Sequence, residues 1–186
     1  MRANPRDACS ARVVVNLQPV TAAFLPTSNY FGGVFAMTLQ FLAVVVLRLL
    51  CGSELNVAAF AHPTLNRQPL EIHIPVRSSF AALFGQVVPF WMAGSTLLNL
   101  LLLLPVVHLG RLAWRLVAIA FAIQILAIVF SLVGPVPINN RIAKWTVGSL
   151  RNDRSAQEHR WDLYHWFRTC GLVAAFAILV CSVGVR

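Results

Sequence analysis

The chain has 186 residues, of which 58% are hydrophobic and only 11% charged. A soluble domain carries about 25% charged residues, so this composition belongs to a protein built into lipid, and its length suits one domain. The net charge of +9 would point to nucleic acid in a soluble protein. Here the cations stand mostly at the ends of apolar runs, where they anchor helices against headgroups, and no nucleic-acid partner is expected.

At the N-terminus, Arg2, Arg6 and Arg12 surround a short apolar stretch interrupted by Asn16, Gln18 and Pro19. That stretch is a poor signal-peptide core and is too short to cross a bilayer. Residues 1–33 read as a flexible or interfacial lead-in, and residues 34–186 as a four-span membrane domain.

A crossing helix needs roughly 20 apolar residues, and four segments meet that length. The first runs from about Val34 to Phe60 and contains Arg48 and Glu54. An ionised side chain at bilayer depth costs about 2.5–3.5 kcal/mol on insertion scales, so both residues are expected to face a bundle interior; the alternative is a helix seated higher, with Arg48 snorkelling to the headgroups. The second segment, about Phe80 to Leu104, contains Pro89, which frees a carbonyl. The third runs from about Leu112 to Val133 and is apolar except for Gln124. The fourth, about Thr169 to Val185, is short, with a helix carrying Trp161 to Arg168 as its possible extension.

The connection after the first span, from His62 to Arg77, is rich in proline and reads as a loop. A tight turn follows the second span, and the longest polar stretch, a loop with a helix, lies between the third and fourth. The expected fold is all-α: an integral membrane antiparallel four-helix bundle, multi-pass in the cell membrane. Gly94, Ser95, Ala118 and Ala122 would allow close helix approach, and Gln40, Asn99 and Gln124 would hydrogen-bond across helices. Lys and Arg counts on the two sides are too even to orient the chain. A homo-oligomer is compatible with everything in the sequence.

The densest group of reactive side chains is Arg160-Trp161-Asp162-Leu163-Tyr164-His165-Trp166-Phe167-Arg168. On a helix Trp161, His165 and Arg168 fall at i, i+4 and i+7 and share a face. Such a face can move a proton at the imidazole, hold an oxyanion at the guanidinium and wall a flat substrate with the indole. An interfacial aromatic belt with basic anchors fits the same letters. Before it, Gly134-Pro135-Val136-Pro137-Ile138-Asn139-Asn140 ends the third span; the paired asparagines either cap the next helix or orient a substrate oxygen. Glu54 is a general base or one half of an ion pair with Arg168 or Arg160.

His62, His73, His108 and His159 show no metal-ligand spacing, and the pairing of Glu71 with His73 is weak. Haem ligation by His165 or His108 stays open. Cys9, Cys51, Cys170 and Cys181 lack redox or metal spacing and read as small apolar residues. No phosphate loop or nucleophile elbow occurs.

Three elements in order, Gly52-Ser53 with Pro63, then Pro137 to Trp145, then Arg160 to Arg168, resemble the anthrone-oxygenase-like family of small four-span membrane proteins. The likeness covers roughly Val34 to Val185. It implies an oxygenase that oxidises a lipophilic aromatic or polyketide-like substrate of anthrone type with molecular oxygen and no dedicated cofactor. Carried onto these residues, His165 would deprotonate the substrate with help from Glu54, while Arg168, Arg160 and Asn140 would stabilise the anion. Asn139, Trp145, Trp161 and Tyr164 would complete the binding site. Two other classes compete: an epoxidase, cyclase or isomerase using the same acid–base face, and a non-catalytic small transporter or accessory subunit.

Overall fold

The computed structural model describes residues 27–149 and 152–185. Six α-helices follow one another: α1 Thr27–Asn56, α2 His62–Leu65, α3 Leu70–Leu102, α4 Arg111–Val133, α5 Pro135–Ile142 and α6 Arg154–Gly184. No strand occurs among the described residues. Among the described residues, four stretches are long and apolar enough to cross a membrane: Gly32–Leu65, Leu70–Leu102, Arg111–Val133 and Arg154–Gly184. The lead-in expected at residues 1–33 lies outside the described residues as far as residue 26, and α1 begins at Thr27.

The short connections before α3 and α4 favour antiparallel neighbours, and α6 runs antiparallel to α1, pairing Ser182 with Gln40 and Arg168 with Glu54. Around the bundle α1 packs on α3, α3 on α4, α4 on α6 and α6 back on α1, with the α4–α6 contact the most extensive. The centre is filled by Leu47 and Leu50 of α1, Val117 and Ala120 of α4, and Leu172, Ala175 and Leu179 of α6. Lipid tails are as apolar as leucine, so close packing and interhelical hydrogen bonds hold the helices together. Gln40 Nε2 donates to Ser182 Oγ at 2.9 Å, tying α1 to α6. Between α3 and α4, Gln124 meets the hydroxyls of Ser95 and Thr96 at 3.2 and 3.0 Å. Of the small residues expected at helix contacts, Ser95 is buried, whereas Gly94 and Ala122 face outward.

Three expectations need correction. Arg48 is exposed on the outer side of α1, while Glu54 is buried, so only one of the two charges points inward. The proline-rich loop is largely helical. Pro69 caps α3, which begins at Leu70 and runs through Pro75 and Pro89, ten residues earlier than the hydropathy limit at Phe80 suggested. Glu71 and His73 therefore lie on its first turn. Asn139 and Asn140 sit inside α5, which starts behind Gly134 with Pro135, so neither caps the following helix. The helix carrying Trp161 to Arg168 does extend the fourth span, as expected: α6 is continuous from Arg154 to Gly184.

At the end of α1 the chain continues through a π-helical turn, Val57–Ala61, into α2. Pro63 cannot donate to the carbonyl four residues back and its ring crowds that carbonyl; the wider turn accommodates this, with the His62 amide bonding to Val57 O. An unbroken α-helix would leave residues 54 and 62 about 80° apart. The extra residue in the π turn removes most of that offset, and Glu54 and His62 are both buried.

α5 is held across the mouth of the bundle by Asn139, whose Nδ2 donates to Ala81 O of α3 at 2.8 Å. That approach requires a glycine opposite, because a Cβ on Gly85 would lie 2.7 Å from Asn139 Nδ2. Gly85→Ala is expected to displace Asn139 and leave Ala81 O without this donor, at a cost of about 1–3 kcal/mol. Thermal unfolding in detergent, compared with the outward-facing Gly94→Ala as control, measures it.

Candidate active site

One stripe of α6 carries the site. Glu158, Trp161, Asp162, His165, Arg168 and Thr169 recur at helical spacing on the side facing the bundle, and the same stripe continues as Leu172, Ala175 and Leu179. Its first half is polar and its second half is core. The opposite side of the segment holds Trp166 and Phe167, both exposed. The two sequence readings thus describe two faces of one helix: Trp161 and His165 point inward, and Trp166 and Phe167 form the belt.

Glu54 and Arg168 form a buried ion pair between α1 and α6. Arg168 Nε donates to Glu54 Oε2 at 3.1 Å, and Nη2 donates to the same oxygen. The Glu54 side chain is 3% exposed and that of Arg168 10%. Of the two arginines considered as its partner, Arg168 is the one in place; Arg160 is exposed.

His165 is fixed at both nitrogens. Its Nε2 lies 3.0 Å from the backbone carbonyl of Glu54, and a carbonyl only accepts, so Nε2 carries the proton. Nδ1 then keeps its lone pair and accepts from Arg168 Nη2 at 3.1 Å. Glu54 Oε2 lies 3.6 Å from the same Nδ1. The ring stacks on Trp161 with centroids 4.8 Å apart and planes 14° from parallel.

A second ionic group adjoins the first. His62 Nδ1 donates to Asp162 Oδ1 at 2.9 Å, and Arg77 Nη2 donates to the same oxygen at 2.7 Å. Asn66 joins them: its Oδ1 accepts from Arg77 Nη1 at 2.8 Å, and its Nδ2 reaches Asp162 Oδ2 at 3.3 Å. The Arg77 guanidinium lies 5.7 Å from the Trp161 ring centroid, within cation–π range. One turn further out, His73 bridges Leu65 O at 3.0 Å and Glu158 Oε1 at 2.9 Å.

An apolar cavity of about 230 Å³ lies between α3, α4, α5 and α6. Phe84, Val88, Met92, Ile128, Leu132 and Pro135 form its walls, and Trp161, Arg168, Ser131, Asn139 and Asn140 supply its polar lining. Gly85, Pro89, Ala93 and Leu132 on its rim are exposed, so it opens on the outer apolar flank between α3 and α4. Trp161 Nε1 is buried without a hydrogen-bond partner.

Of the residues singled out from the sequence, Glu54, Trp161, His165 and Arg168 come together. Asn139 and Asn140 border the cavity, Asn139 with its amide committed to Ala81 O. Tyr164 packs edge-on against Phe130, centroids 5.6 Å apart, and Trp145 packs on the cluster of Val57, Ala81, Ile142 and Trp161. His108, the other residue considered for haem, is exposed and bonds to Val106 O. His165, with one nitrogen donating and the other accepting, has no free ring nitrogen in this arrangement. Asp162, His62, Arg77, Asn66, His73 and Glu158 were not assigned roles by sequence reasoning. Their signal was available as helical spacing: His73 and Arg77 at i, i+4, and Glu158, Asp162 and His165 at i, i+4, i+7.

Removing one partner of a buried ion pair strands the other charge, at about 3–5 kcal/mol. Arg168→Met alone is therefore expected to lower the thermal midpoint sharply, and the double variant Glu54→Leu/Arg168→Met to recover most of the loss. A double variant no more stable than the single one would show that the pair does not join α1 to α6.

The similarity to known proteins lies over this same region. A family model described as anthrone oxygenase matches residues 79–178, more than half of the chain. Neither a curated protein nor a solved structure matches it. The matched stretch takes in most of α3, all of α4 and α5, and α6 past Arg168, and with them every residue of the cavity. The Gly52-Ser53 element, like Glu54 and His62, lies before it. Built of helices without a strand among the described residues, and with four described stretches long and apolar enough to span a bilayer, the chain belongs to the anthrone oxygenase family.

Proposed function

We propose that this protein is a membrane-embedded oxygenase that oxidises a lipophilic aromatic, anthrone-type substrate with molecular oxygen by base-assisted deprotonation. The observation that carries this reading is the junction of an apolar, flank-opening cavity with Arg168 of the Glu54–His165–Arg168 group. A greasy ring system and oxygen both partition into lipid and enter from the side. The substrate's oxygen reaches the guanidinium at the polar end.

The chemistry asks little beyond binding, deprotonation and exclusion of water. An activated CH₂ between aromatic rings loses a proton, and the carbanion is delocalised as an electron-rich phenolate or enolate. The anion passes an electron to oxygen, and recombination gives a peroxide. Reprotonation and loss of water then leave a ketone, so that one CH₂ and one O₂ become one C=O and one H₂O. Arg168 holds the anion's oxygen by charge-assisted hydrogen bonds, and the Trp161 side chain lines the same cavity. As the substrate oxygen draws Arg168 Nη2 toward itself, His165 Nδ1 is uncovered to take the proton, with Glu54 close enough to stabilise the cation that results. Asn140 borders the same end. Arg160, exposed on the other side of α6, has no part in this arrangement.

The test is product analysis with an anthrone substrate and detergent-purified protein, under air and under argon. Quinone formation is expected under air alone, falling about 10²–10⁴-fold in His165→Ala, the usual range for a lost acid–base group. Undiminished turnover in that variant overturns the role of His165, and a product formed equally under argon overturns the oxygenase.

A further inference from the structure

A second, smaller cavity of about 70 Å³ lies beside the first, lined by Ala58, His62, Asn66, Asp162, His165 and the exposed Trp166, with Pro63 at its edge. Trp161 borders the substrate cavity but not this one; His62 and His165 border this one but not the substrate cavity. Both imidazoles lie against the Trp161 indole, His62 with its centroid 4.4 Å away and His165 at 4.8 Å, and their own centroids are 5.7 Å apart. The indole is therefore a partition, with apolar space on one side and the two histidines on the other.

The walls of the smaller cavity differ in kind from those of the larger. It is roomy enough for water, and carboxylate, amide and imidazole groups supply the two to four polar partners that an ordered water needs. It sits at the polar end of the bundle, where Pro63 and Asn66 are exposed. Asp162 receives His62 Nδ1–H at 2.9 Å, which fixes the tautomer and leaves the lone pair on Nε2, a nitrogen with no hydrogen-bond partner among the described residues. A carboxylate behind an imidazole is the arrangement that orients a base and stabilises its protonated form. Arg77 and Asn66 hold Asp162 from its other sides.

We propose that this cavity is a water-holding proton port for the substrate site, with His62, oriented by Asp162, as the group that receives the proton from His165 and returns it. The inference rests on the oxygenase reading for its substrate but not for its geometry. The proton removed from the CH₂ group passes from His165 through water to His62 Nε2. It comes back when the peroxide anion is protonated, so the dyad ends each cycle as it began. Water serves the transfer without entering the apolar cavity where the carbanion meets oxygen. His62 is a positioning and relay residue, since it does not border the substrate cavity.

The port is tested on protein in nanodiscs, where both faces are open to solvent, with Cys9, Cys170 and Cys181 replaced by serine and the buried Cys51 kept. The thiol introduced by Ala58→Cys is expected to react with a charged, membrane-impermeant methanethiosulfonate. That introduced by Ala93→Cys, on the lipid-facing rim, is expected to react only with an uncharged maleimide. Protection of the Ala58→Cys thiol from the charged reagent overturns the port, and this holds whether or not the protein turns over an anthrone.

The relay is tested in His62→Ala, expected to lose about 10²-fold in turnover with substrate affinity retained and part of the rate restored by added imidazole. Retained turnover, or a loss that imidazole does not restore although the protein is folded, overturns His62 as the relay. Absence of anthrone oxidation in the wild type would sink the oxygenase reading instead, leaving the labelling result to decide the port.

Discussion

The buried contact between Glu54 and Arg168 is the constraint on which the remainder of the site depends. It is made twice by one residue of α1: the Glu54 carboxylate takes the Arg168 guanidinium, and the Glu54 backbone carbonyl takes His165 Nε2–H. Both partners come from one turn of α6, so α1 and α6 are fixed in rotation as well as in distance. Inside lipid neither charge has water to fall back on, and the pairing sets which way α6 turns its polar stripe. Once Arg168 is held there, Trp161 stands two turns back along α6 and flat against His165, and the cavity acquires its polar end.

The other half of the arrangement comes from a local irregularity. Without the π turn at Val57–Ala61, His62 would stand well away from the face that Glu54 presents, and Asp162 would lack its imidazole. Pro63 gives a physical reason for the turn, and π turns occur frequently at functional sites. The same economy appears on α3, where Gly85 lets α5 approach closely enough for Asn139 to bond Ala81 O, and where Pro89, beside the cavity, has no amide to donate to the carbonyl four residues back.

The four spans were legible because each is an apolar run of bilayer length, and the inward face of α6 was legible because Trp161, His165 and Arg168 recur at helical spacing. Glu54 was also legible as a buried charge. Arg48, six residues earlier, was not distinguishable from it by hydropathy, since cost at bilayer depth says that a charge needs a partner but not which way it faces. What the sequence hid were contributions from the stretch read as a loop. Prolines at positions 63, 69 and 75 suggested irregular chain between His62 and Arg77, yet a proline at a helix N-cap or near its start costs little, and the helix carries His73 and Arg77 into the site. Asp162 was passed over because a lone carboxylate among aromatics and arginines reads as a belt residue until its partners on α2 and α3 are known.

The placement of the histidines explains why an aromatic partition suits this chemistry. A carbanion that reduces oxygen must be shielded from water, or it is simply reprotonated; its proton must nevertheless leave, or the anion never accumulates. An open polar channel into the substrate cavity would satisfy the second need and defeat the first. A fully apolar site would do the opposite. Trp161 resolves the conflict by presenting one flat, buried ring to both sides: apolar surface toward the substrate cavity, and toward the polar end a surface on which His165 stacks and against which His62 lies tilted. Among the described residues, Arg168 is the one charged side chain bordering the substrate cavity, and it bonds to both Glu54 and His165. Charge and proton thus part company at a single side chain: the anion stays with the guanidinium in the apolar space, while the proton, once on His165, moves toward His62, which does not border the substrate cavity.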